Sequence, residues 1–177
     1  MSKSPANMTW NLKKRILLVF CIIGTYHVTA QSYICLAPSI TNSPGTLAEK
    51  SNLSVEVGRQ WDVFSLGIDM GATSLGKIVG IDTVAYFEVR PNLNIFQVGK
   101  FTNTFTPGIG VIFNAKENLM TELTYGIEYT WTPLIHVNMV FGQYFYSGRY
   151  SASNVTFFGV SVMKYFKPSK AKALITK

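Results

Sequence analysis

The sequence predicts an all-β fold, an up-and-down antiparallel transmembrane β-barrel of eight strands. Three observations carry this expectation. Apolar residues alternate with small or polar ones from residue 53 onward, the connections alternate between short and long, and the polar face is rich in glycine and poor in lysine. Charged residues are only 14% of the 177-residue chain, aromatic residues are also 14%, and mean hydropathy is +0.20. That is too apolar for disorder, and the length suits one domain.

Taken in order, the chain opens with basic residues at 13 to 15, an apolar run from Ile16 to Ile23, and a polar stretch ending in Val28-Thr29-Ala30. This pattern predicts a secretory signal peptide over 1–30, cleaved after Ala30 so that Gln31 comes first. The apolar run is too short for a spanning helix, which needs about 20 residues. Cys21 would leave with the leader and Cys35 would stand alone, so no internal disulfide is expected. No later segment is apolar enough for a spanning helix, and any membrane crossing falls to strands.

Residues 31–166 are expected to form the barrel domain. In "LSVEVG", Leu53, Val55 and Val57 oppose Ser54, Glu56 and Gly58; in "VFSLGIDMG", Phe64, Leu66, Ile68 and Met70 oppose Ser65, Gly67, Asp69 and Gly71. Phe87, Val89, Leu93 and Ile95 alternate with Glu88, Arg90, Asn92 and Asn94. The same two faces recur over 101–113, 119–131 and 135–145, and again where Phe158, Val160, Val162 and Phe166 oppose Phe157, Gly159, Ser161 and Tyr165. Short connections are expected at 58–61, 97–100 and 132–133, long ones at 72–82, 114–118 and 147–153. These are seven strands, and an up-and-down barrel that starts and ends on its short-turn side needs an even number. "SYICLAPSI" (32–40) is the candidate for the eighth, with Pro38 against it.

The small and polar face decides which solvent lies where. A face turned to water would carry Lys and Glu in quantity, whereas this one carries glycines, threonines and acids with almost no lysine. Five of the nine acids, Glu56, Asp69, Glu88, Glu122 and Glu128, fall on it, with Arg90 as their expected partner and His136 and Asn138 on the same side. Carboxylates confined in a narrow lumen must be paired or hydrated. The apolar face ends on Tyr129, Trp131, Phe145 and Phe166, the residue types that favour a membrane interface. Pro91 and Pro107 lie near one another across the 97–100 hairpin, and each forfeits a ladder bond, so a bulge or local opening is expected there.

The net charge of +7 is mostly terminal. Lys3, Lys13, Lys14 and Arg15 lie in the first 30 residues and Lys167, Lys170, Lys172 and Lys177 in the basic tail, 167–177, which is expected to be a mobile extension. No nucleic-acid groove is implied. His136, the one histidine after the leader, has no nucleophile at a recognisable spacing and no second histidine or cysteine cluster for a metal. "GIGVIF" (108–113) lacks the later glycine and the helix of a phosphate loop, and no cofactor is expected.

Over residues 53–166 the chain resembles the small outer-membrane β-barrel proteins, the eight-stranded OmpA-type and OmpX-type group. The most specific element is the last strand, whose Phe158, Val160, Val162 and terminal aromatic Phe166 are similar to the signal by which such barrels are recognised for insertion; Lys164 and the residues after Phe166 depart from that pattern. The resemblance implies an outer-membrane location, membrane lipid and the barrel assembly machinery as partners, and a structural role or one mediated by surface loops 72–82, 114–118 and 147–153. Two alternatives stand beside it. One is a soluble, lipocalin-like barrel holding an apolar ligand, the other a lipid-modifying outer-membrane enzyme.

Overall fold

Eight antiparallel strands follow one another in chain order and close on themselves. The computed structural model describes residues 30–42, 50–73, 84–113, 119–147, 154–168 and 172–176. The strands are β1 (Gln31–Asn42), β2 (Lys50–Trp61), β3 (Phe64–Thr73), β4 (Val84–Val98), β5 (Phe101–Ile112), β6 (Leu119–Thr132), β7 (Ile135–Ser147) and β8 (Val155–Tyr165), and a short β9 (Ile175–Thr176) follows. Each of the eight pairs with its chain neighbours, and β8 returns to β1, with Tyr33 opposite Tyr165. The strand required by parity is therefore β1, and it contains Pro38. Residues 1–29, the connection 43–49 between β1 and β2, and nearly all of the long connections expected at 72–82, 114–118 and 147–153 lie outside the described residues.

Period-two alternation sets the two faces of the wall. Outward side chains such as Leu53, Ile68, Ile109, Leu123, Phe141 and Phe158 are 41–58% exposed, and the inward phase is buried. Toward the long connections the interior is aromatic and aliphatic, with Tyr86, Ile112, Met120, Tyr144, Tyr146, Val155 and Phe157 in one cluster. Toward the short turns, Tyr33, Cys35, Met163 and Tyr165 form a second. The charged residues lie between and below these clusters.

The short turns sit later than the sequence suggests. Turn residues are Asp62–Val63, Gly99–Lys100 and Pro133–Leu134, so Gly58–Trp61, Gln97 and Val98 belong to strands. The alternation simply continues through Arg59, Gln60 and Trp61, whose polar and aromatic types look like a loop but suit a membrane rim. Gln60 is the inward member, and its amide donates to the carbonyls of Asp62 at 2.8 Å and Phe64 at 3.1 Å. Asp62 takes φ of 46°, a left-handed turn position that aspartate tolerates.

All three strand prolines lie at lapses in the ladder. Between β4 and β5 the pairing runs to Val89 opposite Ile109 and resumes at Leu93 opposite Phe105, leaving Pro91 and Pro107 facing one another unpaired. Thr106 Oγ1 donates to Asn92 Oδ1 at 2.7 Å across this gap. Between β1 and β8 the pairing lapses from Leu36 opposite Val162 to Ser39 opposite Gly159, and Pro38 is in that interval. Each proline keeps its pairing with the other neighbouring strand, Leu66 for Pro91, Leu123 for Pro107 and Leu53 for Pro38.

The tail is docked where it is described, contrary to the expected mobile extension. β4 overhangs β3 by several residues at the short-turn end, and β9 pairs parallel with Phe96 and Gln97 there. The Leu174 N–H donates to Asn94 O at 3.0 Å, the Lys172 N–H to Asp62 O at 2.9 Å, and the Asn94 amide to Lys172 O at 3.0 Å. The overhang leaves unpaired backbone groups, and the tail supplies their partners.

Candidate functional site

The barrel interior holds every described acid except Asp62. Arg90, on β4, projects across the lumen: Nη1 donates to Glu56 Oε2 of β2 at 2.8 Å and Nη2 to Glu122 Oε1 of β6 at 2.8 Å. The fork of the guanidinium thereby ties together strands on different sides of the wall. Tyr33 Oη donates to the other oxygen of Glu56 at 2.5 Å, and the Thr124 hydroxyl to Glu122.

The remaining acids are held elsewhere. Asp69 accepts from Tyr86 Oη at 2.6 Å. Glu128 Oε1 lies 2.7 Å from His136 Nδ1, nearer the short turns, where the imidazole packs against the Tyr165 ring with centroids 4.8 Å apart. Glu88 is fully buried with its carboxyl against that of Glu122, and no other described side chain donates to it; Asn138 Oδ1 has no donor either. The expected single network is thus three units, Arg90 with Glu56 and Glu122, Asp69 with Tyr86, and Glu128 with His136, and Glu88 lies against Glu122 without reaching Arg90, whose Nη groups are both occupied by Glu56 and Glu122.

Inward glycines make room for these groups. A Cβ on Gly67 would overlap the Glu56 carboxyl, and one on Gly108 would overlap that of Glu88. Among the described residues, a cavity of about 50 Å³ is lined by Tyr33, Cys35, Glu56, Arg90, Asn92 and Ser161 among others. Such a volume takes a few waters at about 10–15 Å³ each.

No family model matches the sequence, and no curated protein matches it. Solved structures do. The crystal structure of Neisserial surface protein A (NspA) superposes with a TM-score of 0.57 at 9% identity, covering 77% of this chain and 97% of that one. The designed protein TMB2.3 gives 0.50 at 11% identity, over 78% of this chain and 97% of that one. The fold is that of the small eight-stranded outer-membrane barrels.

In that barrel, the last-strand residues Phe158, Val160 and Val162 point outward from β8, and Phe166 follows it, 66% exposed, its N–H donating to Ser32 O at 3.1 Å. Among the described residues no group of three or more His, Cys, Asp or Glu side chains is arranged to hold a metal. Among the described residues His136 Nε2 has no hydrogen-bond partner. The residues missed from sequence are the inward tyrosines. Tyr33 and Tyr86 both share the inward phase with carboxylates of their neighbours, and that phase was the available signal.

Proposed function

We propose that the chain resides in an outer membrane with its short turns toward the periplasm. Its lumen is a side-chain-filled plug, and it acts through its wall and its long connections. The observation that carries this reading is the inverted polarity, with apolar side chains outside and Glu88, Glu122, Asp69 and His136 at 3% exposure or less inside. In water such a wall would forgo about 25 cal/mol for each Å² of apolar surface left exposed, whereas lipid covers it.

A cavity of about 50 Å³ supports neither bulk conduction nor an apolar ligand of lipocalin size, since ligand pockets run to roughly 300–1,000 Å³. Surface partners would then meet connections 72–82, 114–118 and 147–153, and the similar fold of a protein named for the surface, NspA, lends support. Phe158, Val160, Val162 and Phe166 would serve as the strand read by the barrel assembly machinery.

The test is electrophoretic mobility of the detergent-extracted chain with and without heating. A heat-dependent shift is expected, because a closed barrel resists detergent until boiled. A chain that fractionates with soluble periplasm and needs no detergent would overturn the reading.

A further inference from the structure

Lys164 interrupts an apolar phase on the lipid-facing wall, and it is not alone. Among the cations whose side chains are described, only Arg90 is inside the barrel; Arg59, Lys100, Lys164, Lys167 and Lys172 are exposed and all lie at the short-turn end. The one described acid at that rim, Asp62, is taken by Lys172, with Nζ 3.3 Å from Oδ1. Every other described acid points into the lumen. Arg59, Lys164 and Lys167 are therefore left without a carboxylate among the described residues.

Arg59 and Lys164 share the outside of the seam where the barrel closes, and Lys167 is exposed at the adjoining rim. Arg59 lies opposite Ser32 across β2 and β1, and Phe166 bonds to Ser32 from the other side, so Arg59, Ser32 and Phe166 form one outward row over three strands. Lys164, on β8 two residues before Phe166, lies opposite Ile34, and Lys167 follows Phe166 where the chain turns across the rim and the Gln31 amide donates to Pro168 O at 2.6 Å. With strands about 4.8 Å apart and a rise of about 3.4 Å per residue, the three cations fit within roughly 10–15 Å. Ser32 is the small residue between them, and Trp61 and Phe166 flank it.

We propose that this patch binds the phosphodiester headgroup of an anionic phospholipid in the leaflet nearest the short turns. The assignment rests on the membrane reading above. A cation on a lipid-facing strand extends its stem along apolar surface and its charge toward the headgroups. Arg59 offers a planar fork matched to two phosphate oxygens, Lys164 and Lys167 add point charges, and the two aromatic rings suit the interfacial depth. Neutral lipid would leave three charges at the interface with no counter-charge; an anionic lipid supplies one.

The test is native mass spectrometry of the full chain in detergent, titrated with phosphatidylglycerol and with phosphatidylcholine of the same acyl chains. The wild type is expected to retain phosphatidylglycerol on the order of ten-fold better. The triple variant Arg59→Gln/Lys164→Gln/Lys167→Gln is expected to bring the two lipids to near parity while keeping the heat-dependent gel shift. Lys100→Gln, at the rim but away from the seam, should preserve the preference.

No preference in the wild type, an unchanged preference in the folded triple variant, or an equal loss with Lys100→Gln each overturns the seam site. If the triple variant does not fold, salt decides on the wild type, where a charge-driven preference must collapse as ionic strength rises, and one that persists ends the proposal. Inorganic phosphate at matched ionic strength should not displace the lipid, and displacement would mark a free-anion site instead. A wild type with no heat-dependent gel shift sinks the membrane reading rather than the lipid preference.

Discussion

Arg90 is the side chain on which the charge balance of the lumen turns. It satisfies Glu56 and Glu122 at 2.8 Å each, and no other described cation reaches either. Arg90→Met leaves both carboxylates buried without it and is expected to lower stability by about 3–5 kcal/mol, measured by urea unfolding in lipid vesicles with tryptophan fluorescence. Glu88→Gln replaces one of two facing carboxyls, Glu88 and Glu122, with a neutral amide that can donate to the other, and is expected to change stability by less than about 1 kcal/mol, or to raise it. A loss as large as that of Arg90→Met would show that the Glu88 carboxyl is needed where it stands. Gly108→Val places a side chain on the Glu88 carboxyl and should abolish the heat-dependent gel shift, with Glu88→Ala in the same chain restoring it.

At the scale of elements, the strands were readable wherever the alternation is strong, as in β5 and β6. β1 was weaker because Pro38 counts against a strand. The structure reconciles it by putting the proline at a lapse in the β1–β8 ladder, and it does the same for Pro91 and Pro107 between β4 and β5. Replacing both Pro91 and Pro107 with valine restores two N–H groups to the β4–β5 gap. Protection from exchange at the two new amides, 91 and 107, is expected, with a stability gain of about 0.5–1.5 kcal/mol; fast exchange at both would mean the gap has another cause. The tail is held mainly by backbone bonds to Asp62 and Asn94, and the exposed Lys172–Asp62 pair adds about 0–1 kcal/mol. Truncation after Pro168 is therefore expected to leave the barrel closed while speeding exchange at Phe96 and Gln97, read by hydrogen exchange.

As a whole molecule, the barrel is a wall wrapped around its own polar side chains. An eight-stranded interior is about filled by what it contains, and here the aromatic cluster under the long connections and the Tyr33–Tyr165 cluster at the short turns bracket the Arg90 unit. Planar-bilayer recording of the reconstituted wild type is expected to show no resolved single-channel steps. Steady channel openings would contradict a filled lumen.

The alternation of residue types determined the strands, their two faces, and the presence of five carboxyls and Arg90 on one of them, because a period of two is a local property of the chain. The same local reading could place Arg59–Trp61 in a turn, since a rim residue and a loop residue share their chemistry. Which acid meets which donor was settled only by closure. Register brings Glu56 and Glu122 to Arg90 from strands far apart in sequence, turns Tyr86 toward Asp69, and sets Glu88 beside Glu122 over Gly108. The docking of Lys172–Thr176 onto β4 likewise depends on how far one strand overhangs the next. No alternation pattern encodes that length, because it arises from the stagger of strands around the closed wall.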